Sequence, residues 1–293
     1  MVLVCPGVFP NKPEGFHMDG YLKENLDILA ENITNDFDFV ILVSGGGMTR
    51  IGKSLIAMQI GYYLTHKVNE LNGIHNTFTT DNYSFRGEDL IVKAKCAPRY
   101  SVLVYDEAGS DLMARKTMHS TTQALLDFFR EIGQANLFLI CVLPDFFDLP
   151  KGIAVTRSVC LIDVDFVEKF TRGKFKFFSR RAKKLLYLRG KKTLDYDCVK
   201  PDFYGTFTNF YTVDEMKYRQ MKLEALRNRE KDEVEKLKER MTSTARRLLH
   251  QKRELVLFLK ECGVSQREIA KRAGVTEADI SLLITEGEKY NAA

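Results

Sequence analysis

The stretch "FVILVSGGGMTRIGKS", Phe39 to Ser54, constrains this chain more than any other. A short, continuous, β-branched run predicts a strand buried on both faces. The glycines after it lead into Gly47-x-x-x-x-Gly52-Lys53-Ser54, the spacing of a phosphate-binding P-loop. Each specified position has a physical duty. Gly47 and Gly52 let the backbone curl until successive N–H groups point into one concave nest, and Lys53 neutralises β- and γ-phosphate oxygens. Ser54, at the head of the next helix, offers a hydroxyl to Mg²⁺. The expected nucleotide contacts are therefore Gly47, Met48, Thr49, Arg50, Ile51, Gly52, Lys53, Ser54 and Leu55, with Gly45 and Gly46 as slack between strand and nest. A chance glycine turn is the competing reading. The strand before the motif and the helix after it are the context the motif requires.

A phosphate-holding loop needs a carboxylate opposite it to anchor the metal. "SVLVYDEA" places Asp106 at the end of a second apolar strand, with Glu107 next to it. Asp106 is expected to hold Mg²⁺ through water, and Glu107 to polarise the attacking water as general base. The plainer alternative is two acids capping a strand end.

Around these motifs the pattern alternates. "KSLIAMQIGYYLTHKV" spaces Leu55, Met58, Tyr62 and Leu64 for a helix; "STTQALLDFFREIG" predicts another, capped by Ser120 or Thr121; "NLFLICVL" and "VCLIDVDF" read as strands. Strands alternating with helices indicate an α/β fold with a parallel sheet covered on both faces. Between Ser54 and Ser101 there is room for an extra strand, placed at "HNTFTT", 75–80, and expected to separate the P-loop strand from the Asp106 strand.

This arrangement, with a glutamate beside the magnesium aspartate, resembles the additional-strand, catalytic-glutamate division of P-loop ATPases, which includes RecA-like motors and AAA+ proteins. Over residues 38–165 the chain looks most like FtsK/HerA-type DNA-pumping ATPases and viral packaging or zonular-occludens-toxin-like proteins of mobile elements. The resemblance implies ATP and Mg²⁺ as ligands, DNA as substrate and a homo-oligomer, commonly a hexameric ring. It also implies an arginine finger supplied in trans. Arg115, Arg130 and Arg157 are the candidates, and Arg157, just before a predicted strand, is preferred, with a surface salt bridge as the alternative for each. One departure is plain. Where those proteins carry a polar γ-phosphate sensor after the fourth strand, this chain reads "VLPD", leaving Asp145 or nothing in that place. No N-K-x-D run for guanine is present, so ATP is the expected nucleotide.

The expected domains are an ATPase domain at 1–212, a charged helical linker at 213–242 and a C-terminal module at 243–293. Net charge is only +5, so its placement matters more than its total. Residues 168–192 carry 11 lysines and arginines against one acid, interleaved with Phe170, Phe175, Phe177, Phe178 and Tyr187. Two short strands are expected there, at 173–178 and 184–188. Lys174, Lys176, Arg180, Arg181, Lys183 and Lys184 are the candidate phosphate contacts on DNA, with the aromatics stacking bases or, alternatively, turned into a small core. The C-terminal run resembles a helix-turn-helix: Ser265 caps one helix, Gly274 makes the turn and Thr276 caps the next. That next helix carries Glu277, Asp279 and Glu286, so contact with phosphates or with a protein partner is expected rather than base reading.

The six cysteines show no C-x-x-C pair, which argues against a zinc site or a disulfide framework. No apolar run approaches the roughly 20 residues a bilayer span needs, and a cytosolic location is expected. The sequence thus predicts an ATP-hydrolysing, DNA-handling motor of a virus or mobile element. A switch-like ATPase that loads a partner, and a non-catalytic nucleotide-binding scaffold, are the alternatives.

Overall fold

The computed structural model describes residues 2–4, 15–106, 120–131, 135–167 and 171–291. Glu107, Arg115 and His119 lie outside the described residues, as does the side chain of Arg130. By compactness the chain divides into residues 1–225 and 226–293. The expected linker, 213–242, lies, from residue 215 on, in a single helix, Glu215–Glu261, which continues past the linker's expected end.

The first unit is built on a seven-stranded sheet. In chain order its strands are β3 (Phe39–Ser44), β4 (Tyr83–Ser84), β5 (Val102–Tyr105), β6 (Phe138–Val142), β7 (Ser158–Val167), β8 (Thr171–Phe178) and β9 (Phe203–Thr206). A separate antiparallel pair, β1 (Val2–Val4) with β2 (Phe16–Met18), lies outside it. The spatial order is β4-β5-β6-β3-β7-β8-β9. Strands β4 through β7 run parallel, and β8 and β9 extend the sheet antiparallel.

The P-loop strand β3 and the Asp106 strand β5 are indeed separated by one strand, and that strand is β6. The inserted strand in the expected interval is the short β4, at 83–84 instead of 75–80, and it lies at the sheet's edge beside β5. The sheet is mixed and mostly parallel, an α/β arrangement consistent with the RecA-like core expected from the sequence.

Alternation along each strand sends side chains to two cores. Ile41 and Val43 of β3 join Val104, Ile140 and Ile162 beneath α1 (Gly20–Asn32) and α2 (Lys53–Asn72). Val40 and Leu42 join Leu103, Tyr105 and Leu139 on the other face, covered by α3 (Gly87–Cys96), α4 (Ser120–Glu131) and α5 (Arg180–Gly190).

The basic segment folds differently from expectation in its second half. Residues 184–188 are helical, within α5. Lys183, Leu186, Tyr187 and Gly190 are its buried positions, and their spacing of three and four is the helical period, which overrides the local alternation. The aromatics take the inward alternative: Phe175, Phe177, Phe178 and Tyr187 are all buried, so none of these four offers a face to a base.

In the second unit, the end of α6 (Glu215–Glu261), α7 (Gln266–Ala273) and α8 (Glu277–Asn291) enclose Val256, Ile269, Ala270, Ile280 and Ile284. Both expected caps are present. The Ser265 side chain accepts from Glu268 N, while Thr276 and Asp279 bond reciprocally. Gly274 makes the turn with φ +67°.

Candidate nucleotide site at the P-loop

The loop between β3 and α2 curls as its glycines allow. Gly46, Gly47 and Gly52 have φ of +51°, +77° and +104°, the left-handed region where a Cβ is strained. Gly45 is not slack. A Cβ there would stand 2.2 Å from Ile51 Cδ1, so the loop closes tightly against its own first residue. Gly47 N donates to Pro144 O at 2.9 Å, which ties the nest to the segment following β6.

Ser54, in the first turn of α2, faces the end of β5, and its Oγ lies 3.1 and 3.3 Å from the two carboxylate oxygens of Asp106. The P-loop serine and the strand-end aspartate, read separately from sequence, thus meet. Two hard oxygen donors converging on one point is the donor chemistry that Mg²⁺ takes. The nearby Tyr83 hydroxyl is buried with no hydrogen-bond partner among the described residues, and both burial and the charge of Asp106 push its pKa well above the ordinary tyrosine value. The residues therefore fit a hydrated magnesium ion. Lys53 Nζ folds back to donate to the Met48 carbonyl, within the loop that its ammonium would leave to meet a phosphate.

These groups border a cleft of about 830 Å³, within the size range of small-molecule sites. Thr49 through Leu55 and Asp106 form one wall. The opposite wall includes Arg172, Phe207, Tyr211, Tyr218, Arg219 and Lys222, five of which follow the sheet in the chain.

That far wall is held by specific bonds. Gln59 of α2 donates through Nε2 to the carbonyls of Thr208 and Phe210, at 2.7 and 3.0 Å, and Thr212 Oγ1 donates to Met58 O. The Phe207 ring lies against Gly52, where a Cβ would come within 2.9 Å of it. Asp214 then caps α6 by accepting from Lys217 N, and the first two turns of that helix bring Tyr218 and Lys222 to Asp106. Burial, the Asp106 charge and the hydrogen bond to it all raise the Tyr218 pKa, which keeps the phenol protonated as a donor. Sequence reasoning assigned this stretch to a solvated helix. The available signal was Tyr218 and Lys222 four residues apart on one face, immediately after a cap.

Arg157 donates to the Asp38 carboxylate and to the Phe129 carbonyl, inside its own subunit. That pairing ties the π-helical turn Gly152–Arg157 to the residue just before β3. Asp145 does not line the cleft; it accepts from the Tyr196 hydroxyl and caps Phe147 N.

Lys183 is fully buried, donating to Ala154 O and Ser158 Oγ, and so does not meet DNA phosphates. Lys176 is paired with Asp165 and Asp197. Lys174, Arg180, Arg181 and Lys184 are exposed. Among the described residues no cluster of three or more His, Cys, Asp and Glu stands ready for a metal, and no helix is long and apolar enough to cross a membrane.

No protein-family model and no curated protein matches the chain. Among solved structures, it is similar to the genome packaging NTPase B204 of Sulfolobus turreted icosahedral virus 2, determined in complex with ATP-gammaS. The likeness covers 51% of this chain and 95% of that one, at 16% identity and a TM-score of 0.32.

Proposed function

We propose that the chain is a magnesium-dependent ATPase that acts on DNA, as a translocation, packaging or replication motor of a virus or mobile element. The observation that carries the nucleotide half of this reading is the meeting of Ser54 with Asp106 at the mouth of a glycine nest. Backbone N–H groups within residues 49–54 cradle the phosphates, those of Gly47, Met48 and Leu55 being given to the carbonyls of Pro144, Gly45 and Gly52, and Lys53 leaves the Met48 carbonyl to neutralise them. Ser54 and Asp106 hold the magnesium, which when bound offsets the charge that develops on the transferring phosphoryl group. Glu107 orients the attacking water as general base.

Support for the DNA half is the exposed basic set Lys174, Arg180, Arg181 and Lys184, with the C-terminal helices as a helix-turn-helix that touches phosphates or a protein partner. Arg172 and Arg219 border the cleft within the same chain.

A second reading, a switch-like ATPase that times a partner's loading, is favoured by the contact of α6 with Asp106. Turnover measured alone, with duplex DNA and with single-stranded DNA, beside a mass measurement of the assembly, separates the two. A motor shows strong stimulation by DNA in an oligomer, whereas slow turnover indifferent to DNA supports the switch. A chain that hydrolyses no ATP under any of these conditions contradicts both.

A further inference from the structure

Oδ2 of Asp106 has Lys222 Nζ at 3.1 Å and Ser54 Oγ at 3.1 Å, and it accepts from the Tyr218 hydroxyl. The carboxylate is 1% exposed, whereas Lys222 is 27% exposed, so the ammonium reaches from the open cleft to a group otherwise closed to solvent. Tyr218 and Lys222 lie one turn apart on α6, and the cap at Asp214 together with the Gln59 and Thr212 bonds fixes where that helix starts.

Magnesium bound through Asp106 and Ser54, directly or by way of its water shell, brings a divalent charge to the side of the carboxylate that the ammonium now holds. Oδ2 already holds the Ser54 hydroxyl, the Tyr218 phenol and the Lys222 ammonium, so a cation that takes this oxygen has to displace one of them, and the one it repels is the like charge. The Tyr218 phenol carries no charge and is under no such pressure. Lys222 is the partner that has to leave.

We infer that Lys222 is an internal counter-cation at Asp106, holding the metal's charge position in the nucleotide-free protein, so that loading of Mg-nucleotide ejects it and loosens the start of α6. The inference rests on the cleft being a Mg-nucleotide site. It gives the nucleotide state an output at the start of α6, where Tyr218 and Lys222 meet Asp106. The coupling is reciprocal. Whatever holds Lys222 on Asp106 weakens Mg-nucleotide binding, and Mg-nucleotide weakens the hold by the same factor.

The test titrates Mg²⁺ into wild type, Lys222→Met and Lys222→Arg in the presence of methylanthraniloyl-ATP. In parallel it follows amide hydrogen exchange of residues 215–225 with and without Mg-ATP-gammaS. The expected result is that Mg-ATP-gammaS speeds exchange in wild type. Lys222→Met should reach half-saturation at about threefold to tenfold less Mg²⁺ and exchange fast from the outset. Lys222→Arg, which keeps the cation, should stay near wild type.

Weaker Mg-nucleotide binding by Lys222→Met at an unchanged metal requirement would instead assign Lys222 to the phosphates and overturn the inference. An unchanged metal requirement in both variants, with wild-type exchange insensitive to Mg-ATP-gammaS, overturns it too while leaving the nucleotide site standing. Wild type that binds no nucleotide with or without Mg²⁺ overturns the site reading, and the inference with it.

Discussion

Ser54 Oγ lies within hydrogen-bond distance of both carboxylate oxygens of Asp106, although 52 residues separate the two in the chain. In a magnesium site built from one hydroxyl and one carboxylate, losing the hydroxyl leaves the ion short of a ligand. Ser54→Ala is expected to raise the Mg²⁺ concentration for half-maximal ATP turnover by about tenfold, the worth of one hydrogen bond or ligand to a charged group. A turnover curve against Mg²⁺ checks this; identical curves for variant and wild type would show that Ser54 only bonds Asp106.

Arg157 bonded to Asp38 makes a different prediction from Arg157 as a trans finger. Arg157→Ala and Asp38→Ala should each lower the unfolding free energy, and the double variant should lose less than their sum, with a coupling of about 0.5–3 kcal/mol. Denaturant melts of the four proteins measure it. Mixing Arg157→Ala with Lys53→Ala subunits should restore no activity; rescue at any ratio would return Arg157 to a shared site.

The lysine buried in α5 makes stability depend on pH. Burial pushes the Lys183 ammonium down from 10.5 to about 8. Below pH 8 both folded and unfolded chains carry the charge, and the folded state bears the full cost of burying it. Between pH 8 and 10.5 the unfolded chain keeps a proton the folded chain has released, so stability rises with pH until the cost is gone. Wild type should therefore gain on Lys183→Met between pH 7 and 10, by at most roughly 3 kcal/mol. Parallel denaturation profiles across that range would contradict the linkage.

If the exposed basic set meets DNA, neutralising Lys174, Arg180, Arg181 and Lys184 together should weaken binding. It should also flatten the dependence of log affinity on log salt by about 0.9 for each duplex-DNA phosphate that the protein no longer neutralises. Binding isotherms at three salt concentrations report the slope. An unchanged slope rejects this face as the DNA-binding surface.

Much of the site was legible because its signals are local. A buried run, a spaced glycine pair and a strand ending in Asp-Glu each declare themselves within a dozen residues. The identity of the strand between β3 and β5 was not legible, since strand order is set by crossovers that no local window contains. Gly45 looked like slack because its close packing depends on Ile51 curling back. Arg157 and Lys183 looked like surface cations because their partners, Asp38 for the first and Ala154 with Ser158 for the second, lie far away in sequence. Tyr218 and Lys222 escaped notice for the same reason. In a run this densely charged, nothing marks which two side chains turn inward until the 207–212 segment is bonded to α2.

Whether this cleft binds Mg-ATP through its P-loop is decided by calorimetric titration of Mg-ATP into wild type and Lys53→Ala. Wild type should show saturable binding of one nucleotide per chain, and Lys53→Ala should bind at least about 10- to 100-fold more weakly. Equal affinities for the two proteins, or no binding to either, would contradict binding through the P-loop.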